Sequence, residues 1–199
     1  MSLSESQSPC LLSKLVNNTH TDKDTVHSYL PLYQRLLEPK KDSAKHVLEV
    51  GIGDFKEKNG GSIKLWYDFF PHATIYGIDK IGIDRVIDEL LDNDRIVLHT
   101  SSNAYDENFF KTNFVDKNIK CDMMLDDGPH TLESMQSFIR LYSQIMTDDG
   151  ILMVEDVQSI DWIPHLKEAV PEHLREFVHV YDLRSTKGRY DDIVFTIEK

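Results

Sequence analysis

The chain has 199 residues, of which 22 are Lys or Arg and 34 are Asp or Glu, so its formal net charge is −12. This length suits one domain with a full hydrophobic core that needs no disulfide or structural zinc. The acidic balance excludes general nucleic-acid binding, because it would repel the phosphate backbone. A cationic cofactor or a metal ion would be attracted instead.

The chain carries no feature typical of export or of a membrane protein. Its two cysteines are Cys10, in a polar leader, and Cys121, in an apolar run, as in a reduced intracellular protein. The apolar runs are far shorter than the roughly 20 residues of a membrane helix, and the N-terminus lacks a basic-then-apolar signal pattern. We expect a soluble cytoplasmic protein with no membrane partner, in which residues 1–20 form a mobile leader.

Seven apolar segments have the length and β-branched content of buried strands. They are His46–Val50, Thr74–Ile78, Arg95–His99, Cys121–Leu125, Ile151–Val154, Phe177–Tyr181 and Ile193–Ile197. Segments with helical spacing separate the first five: Ser62–Phe70, Ile83–Leu91, Glu107–Phe114 and Leu132–Ile145. This alternation predicts a doubly wound α/β fold with a mostly parallel seven-stranded sheet. A polar loop separates the last two strands, which we expect to form a terminal antiparallel pair.

The end of the first strand and the end of the second predict a nucleotide crevice. The first strand runs into Gly51-Ile52-Gly53, where glycine allows a ligand to approach the backbone closely. The second strand ends at Asp79, whose carboxylate could accept hydrogen bonds from a ribose. A third glycine in register and a P-loop are both missing, which disfavours a dinucleotide or nucleoside triphosphate. The alternative to a nucleotide crevice is that Gly51 and Gly53 form an ordinary turn at the end of a strand and that Asp79 is a solvated aspartate.

The run Glu49-Val50-Gly51-Ile52-Gly53, followed by Asp79, resembles the class I S-adenosylmethionine-dependent methyltransferases. The resemblance implies their Rossmann-like fold over residues 43–199, and S-adenosylmethionine bound by Glu49, Gly51, Gly53 and Asp79. Ser102, after the third strand, is expected near the adenine from its position alone. The inserted run GDFKEKNGGS leaves open which backbone groups of this loop touch the cofactor.

Acidic pairs follow the fourth and fifth strands. They are Asp126-Asp127, within the run DDGPH that ends at His130, and Glu155-Asp156. Neighbouring strands lie about 4.8 Å apart, so these carboxylates would repel one another unless a hard divalent cation such as Mg²⁺ joined them. His130 is the candidate general base, since an imidazole pKa near 6.5 suits proton removal from a hydroxyl. Singly, these residues could equally be helix caps, solvated loop acids and a structural histidine.

The runs DDGPH and VED are similar to those of the Mg²⁺-dependent sugar O-methyltransferases of the mycinamicin and tetracenomycin tailoring group, and of the related cephalosporin hydroxylase family. This resemblance implies that Asp127, Glu155 and Asp156 bind the metal, that His130 is the base assisted by Asp127, and that Asp126 borders the cofactor. Pro129 stands where the group usually has serine.

The N-terminal segment also resembles that group, through the pattern T-D-K-x-x-x-H-x-Y-x-x-x-Y that begins at Thr21. The resemblance implies that residues 21–42 form a helical cover over the cofactor, with Lys23 and Tyr29 in contact with it. The alternative interpretation is a capped helix interrupted by Pro31, with aromatic side chains packed on the core.

Together these features predict methyl transfer from S-adenosylmethionine to a sugar hydroxyl, such as that of a deoxyhexose like rhamnose, with Mg²⁺ and a histidine base. The alternative acceptor is a catechol-like or other small diol. A scaffold without activity would fit the fold but not the set of acids and His130. A nicotinamide oxidoreductase would also fit the fold, but the missing third glycine disfavours it. Because residues 21–199 contain little beyond one catalytic domain, we expect a glycan-modifying unit of a larger glycosyltransferase polypeptide. The oligomeric state stays open.

Overall fold

The computed structural model describes residues 11–199, and residues 1–10, with Cys10 and half of the expected leader, lie outside it. Seven strands form a single sheet in the order β3-β2-β1-β4-β5-β7-β6. They are β1 (His46–Val50), β2 (Thr74–Ile78), β3 (Ile96–His99), β4 (Cys121–Asp126), β5 (Met146–Val154), β6 (Val178–Asp182) and β7 (Ile193–Glu198). All seven expected strands are therefore present.

The first five strands run parallel, and β7 lies antiparallel between β5 and β6. The predicted doubly wound sheet with a terminal antiparallel pair is confirmed. The register places Val50 opposite both Ile78 and Asp126, and Asp126 opposite Val154. The carboxyl ends of β1, β2, β4 and β5 therefore share one edge, where ligands bind in folds of this type.

Seven α-helices are present in the described part of the chain. They are α1 (Leu12–Leu15), α2 (Leu30–Leu37), α3 (Gly61–Phe69), α4 (Glu107–Phe110), α5 (Leu132–Tyr142), α6 (Ile163–Ala169) and α7 (Arg184–Lys187). A π-helical turn, Lys111–Val115, continues α4, and 3-10 turns lie at Glu38–Lys40, Ile83–Arg85, Asp88–Leu90, Ser143–Ile145, Ile160–Trp162 and Glu172–Phe177.

One helix prediction is wrong. The helix expected over Ile83–Leu91 is replaced by two separate 3-10 turns, with Val86 and Ile87 extended between them. Backbone pairing with the glycine loop explains the break, because Asn59 donates to Arg85 and accepts from Ile87. In addition, α6 and α7 had no predicted counterpart, and α7 lies within the polar loop expected between the last two strands.

The N-terminal cover also differs from the expectation. Residues 21–28 contain no helix, and Pro31 lies in the first turn of α2 rather than interrupting it. Proline suits that position because its missing N–H would have no partner there. Within the expected leader, α1 buries Leu12 against the domain, so residues 12–15 are packed onto the core.

Two apolar clusters cover the two faces of the sheet. One contains the free thiol Cys121 and packs α5 against the sheet, and the other contains Trp66 and packs α2 and α3 on the opposite face. Trp66 is fully buried, as expected. In the described chain, no helix has the length and apolar content that crossing a membrane requires.

Candidate functional site

A cavity of about 620 Å³ opens at the carboxyl ends of β1, β2 and β4. Four predicted cofactor residues line it: Gly51, Gly53, Asp79 and Ser102. Asp127, His130 and Asp156, predicted as base and metal ligands, lie in the same wall. The volume falls in the range of roughly 300–1,000 Å³ that small-ligand sites occupy. The structure therefore places the two predicted halves of the site in one cavity.

Backbone geometry explains the glycine loop. Gly51 has φ +96°, and a Cβ there would lie 1.8 Å from the carbonyl oxygen of Asp127. Gly53 has φ +136°. The Asp79 carboxylate accepts hydrogen bonds from the N–H groups of Ile52 (2.6 Å) and Gly53 (3.2 Å), so it holds this loop in place at the cavity wall.

Three side chains converge in the cavity wall, and we call Asp127, His130 and Asp156 the open triad. His130 Nε2 lies 3.8 Å from Asp127 Oδ1 and 3.7 Å from Asp156 Oδ2. One ligand atom of each residue lies within 4.8 Å of the others. His130 and Asp156 both have positive φ, 52° and 54°, a strained conformation that is commonest at functional sites.

The open triad fits a divalent cation by its donor chemistry. Its facing oxygens, Asp127 Oδ1 and Asp156 Oδ2, belong to carboxylates whose other oxygens already accept hydrogen bonds. Burial raises the pKa of Asp156 to about 6, and the nearby charge of Asp127 adds to this. A pair of mutually repelling carboxylates with free oxygens is what a hard cation would stabilise.

Glu155, the third predicted metal ligand, is not part of the open triad. Its side chain is buried, with Oε1 accepting from Lys23 and Oε2 from Tyr33. Both oxygens are therefore engaged by the N-terminal segment. Glu155 and Asp156 both follow β5, and the cavity is lined by Asp156 but not by Glu155.

Lys23 also lies outside the cavity, contrary to its predicted contact with the cofactor. Its ammonium lies 2.6 Å from Asp127 Oδ2 and 3.4 Å from Glu49 Oε1, and it contacts Glu155 as well. Burial opposes the charge, but the carboxylates of Asp127, Glu155 and Glu49 outweigh it and raise the pKa of Lys23 well above its ordinary value. Lys23 is the buried counter-ion of these acids.

Three further predicted cofactor residues are buried beside the cavity rather than in its lining. Glu49 accepts a hydrogen bond from Trp66 Nε1 at 2.7 Å, and burial raises the pKa of Glu49 to about 7. Tyr29 donates to Asp156 Oδ1. Asp126 accepts from Tyr105 Oη at 2.6 Å, and burial raises its pKa to about 7. Each of the three makes a hydrogen bond with another protein group, and none of them lines the cavity.

Sequence reasoning missed several residues of the cavity lining. These are His20, Asp22, Arg85 and Tyr105, together with Thr21, whose motif had been noted without a specific contact. The T-D-K motif, which begins at Thr21, was the available sequence signal for Thr21 and Asp22. Thus the N-terminal segment does border the cavity, but through Thr21 and Asp22.

Comparisons with known proteins give two kinds of result. No protein-family model matches the chain. A rhamnosyl-tetracenomycin 3'-O-methyltransferase of Streptomyces olivaceus is 30% identical over 136 residues, which are 66% of this chain and 32% of that protein. Mycinamicin VI 2''-O-methyltransferase of Micromonospora griseorubida is 28% identical over 155 residues, 76% of this chain and 37% of that protein. The chain thus spans about a third of the curated relatives it matches.

Solved structures agree on the fold. The MycE methyltransferase of the mycinamycin pathway, in complex with Mg, SAH and mycinamycin VI, superposes with a TM-score of 0.74 at 21% identity, over 98% of this chain and 54% of that one. Fibrillarin from Methanococcus jannaschii superposes with a TM-score of 0.57 at 14% identity, over 79% of this chain and 66% of that one. The resemblance to the class I methyltransferase fold and to the sugar O-methyltransferase group is confirmed.

Proposed function

We propose that this chain, which has the class I methyltransferase fold and sugar O-methyltransferases as sequence relatives, transfers a methyl group from S-adenosylmethionine to a sugar hydroxyl with the help of a divalent metal. The observation that carries the proposal is the open triad, with two free carboxylate oxygens and an imidazole in the wall of the cavity that also contains Asp79. The names of the relatives in Streptomyces and Micromonospora support the choice of a sugar acceptor.

The cavity lining has the groups that the cofactor needs. S-adenosylmethionine would supply the activated methyl group. Among residues 11–199, Asp79 Oδ1 accepts one hydrogen bond, from the N–H of Ile81 (3.1 Å), and so retains a lone pair for a ribose hydroxyl. Gly51 and Gly53 keep the neighbouring backbone free of side chains, and the acidic surroundings favour a cationic sulfonium.

Asp127 and Asp156 would hold the metal through their free oxygens. A bound Mg²⁺ would orient vicinal hydroxyls of the acceptor and make them more acidic. His130 Nε2, which lies 3.8 Å from Asp127 Oδ1 and 3.7 Å from Asp156 Oδ2, would take the proton of the hydroxyl to be methylated. Positioning the acceptor and removing its proton are the tasks left to the protein.

The acceptor that we propose is a deoxyhexose such as rhamnose, on a glycan or glycoside. It rests on the printed names of two relatives, which act on rhamnosyl-tetracenomycins. We also propose that the chain works as a catalytic unit of a larger polypeptide that handles glycans.

Methyl transfer from labelled S-adenosylmethionine tests the proposal directly. The acceptors are rhamnosides, other glycosides and a catechol, each assayed with Mg²⁺ and with excess EDTA. We expect labelled glycoside that disappears with EDTA and returns when Mg²⁺ is restored. Product that survives chelation would remove the metal from the mechanism, and product only from catechol would replace the sugar by another diol. Absence of product in every arm, with cofactor binding intact, would contradict the activity.

A further inference from the structure

A buried histidine joins two aspartates next to the open triad. His27 Nδ1 lies 2.7 Å from Asp192 Oδ1 and 3.2 Å from Asp156 Oδ1. His27 is 4% exposed and Asp192 is fully buried. Asp192 precedes β7, whereas Asp156 follows β5, so the imidazole bridges the ends of two antiparallel neighbours in the sheet. Neither His27 nor Asp192 lines the cavity.

The contacts determine which nitrogen of His27 carries a proton. Nδ1 faces two carboxylate oxygens, which can only accept hydrogen bonds when ionised, so Nδ1 must be the donor. The ring is held from one face by Tyr29, with centroids 4.9 Å apart and planes at 13°. Asp192 is held in turn, because Ser28 Oγ donates to its Oδ2 at 2.7 Å.

This arrangement treats the two oxygens of Asp156 differently. Oδ1 accepts a hydrogen bond from Tyr29 Oη and lies 3.2 Å from His27 Nδ1, which donates to Asp192, whereas Oδ2 faces His130 in the open triad. Resting on the proposed function, we infer that His27, oriented by Asp192, is a positioning residue for the metal site: it contacts Asp156 Oδ1 beside the Tyr29 hydroxyl and helps to present Oδ2 to the cation. Tyr29 and the imidazole together oppose rotation of the Asp156 carboxylate.

The backbone around His27 is fixed by contacts that do not involve the site. Lys187 Nζ donates to the carbonyl of His27 at 2.6 Å and also to those of Asp24 and Thr25. A change confined to the imidazole therefore leaves these attachments of the segment in place. This separation makes the positioning role testable by substitution of the side chain.

The test is Mn²⁺ titration of the chain saturated with S-adenosylhomocysteine, followed by electron paramagnetic resonance. His27→Leu removes the donor, whereas His27→Asn retains an N–H donor close to the place of Nδ1. Asp192→Asn removes the negative charge beside the ring and replaces one acceptor oxygen by an N–H donor, and His173→Leu, at an exposed histidine, is the matched control. Affinity for S-adenosylhomocysteine is measured on each variant in parallel.

We expect His27→Leu to weaken Mn²⁺ binding about 10-fold, the lower end of the effect of losing an outer partner of a metal ligand, because Tyr29 Oη still donates to Asp156 Oδ1. Asp192→Asn should also weaken Mn²⁺ binding, and His27→Asn should retain most of the wild-type Mn²⁺ affinity. If His27 is a positioning residue, the affinity for S-adenosylhomocysteine should change less than about twofold in each variant. A purely structural role would instead reduce cofactor and metal affinity together in His27→Leu and His27→Asn alike.

Three outcomes decide the inference. Wild-type Mn²⁺ affinity in His27→Leu, or in Asp192→Asn if the leucine variant does not fold, would overturn it and leave the proposed function standing. Failure of the wild-type chain to take up Mn²⁺ would overturn both the inference and the metal in the proposed function. The expected pattern of Mn²⁺ affinities without methyl transfer to any glycoside would support the positioning role and reject the proposed activity.

Discussion

Lys23 Nζ lies 2.6 Å from Asp127 Oδ2, so the N-terminal segment is attached through one ammonium group to the end of β4. The same ammonium contacts Glu155, at the end of β5, and lies 3.4 Å from Glu49, in β1. One buried cation therefore holds three strand ends beneath the cavity. Through Lys23, the carboxylates at these strand ends also contribute to holding the N-terminal segment in place.

Replacing Lys23 by Met should be strongly destabilising. The substitution leaves buried carboxylates without their counter-ion, and breaking a buried ion pair from one side costs about 3–5 kcal/mol. Urea unfolding would measure the free energy of unfolding. Lys111→Met, at an exposed lysine, is the control and should change it by less than about 0.5 kcal/mol. Equal effects of the two substitutions would show that Lys23 has no special role.

Replacing Gly51 by Ala should displace the glycine loop from the end of β4. The added Cβ would meet the carbonyl oxygen of Asp127 at 1.8 Å, in addition to the strain of a positive φ. We expect S-adenosylhomocysteine affinity, measured by calorimetry, to fall at least about tenfold, a change of ~1.4 kcal/mol. Gly188→Ala is the matched control, because its φ is +74° but no atom lies within 4 Å of the added Cβ. It should cost stability without changing cofactor affinity.

Replacing His130 by Ala should reduce turnover and leave the cofactor site intact. A general base contributes about 10²- to 10⁴-fold to rate, and the cofactor half of the cavity retains Asp79 and the glycine loop. The measurement pairs steady-state methyl transfer with calorimetry of S-adenosylhomocysteine. In the complementary variant, Asp79→Ala, we expect the main effect to be a lower affinity for S-adenosylhomocysteine. Full turnover by the His130 variant would reject it as the base.

Glu155→Gln and Asp156→Asn should separate support from metal binding. Both oxygens of Glu155 are engaged by Lys23 and Tyr33, whereas Asp156 Oδ2 faces the open triad. We expect the Glu155 variant to lower the free energy of unfolding by about 1–3 kcal/mol, the cost of disturbing a buried hydrogen-bonded group, and to affect Mn²⁺ affinity less than the Asp156 variant does. The reverse order of Mn²⁺ affinities would return Glu155 to the metal ligands.

Cys121 should be unreactive in the folded chain. It is fully buried at the start of β4, and burial raises the pKa of its thiol, so little thiolate is available to react. In a Cys10→Ser variant, we expect no reaction with a thiol reagent in buffer and one thiol per chain in denaturing urea. Rapid labelling under native conditions would show that β4 opens readily.

The order of the elements was predictable because local patterns determine it. Runs such as Thr74–Ile78 and Ile193–Ile197 are short, apolar and rich in β-branched residues, and the structure has strands there. Alternation with helices limits such strands to a doubly wound sheet. The segment Ile83–Leu91 was mispredicted because its apolar spacing is helical, while pairing with Asn59, distant in sequence, breaks the helix.

The sequence by itself determined that Asp79, Asp127, His130 and Asp156 lie at one edge of the sheet, because each follows a parallel strand and parallel strands end together. Only the tertiary structure decided what each oxygen contacts. Glu155 and Asp156 are adjacent acids of the same kind, yet Lys23 and Tyr33 engage one and the cavity receives the other. Strand order is a property of periodicity, whereas hydrogen-bond partners from distant segments depend on how those segments pack in three dimensions.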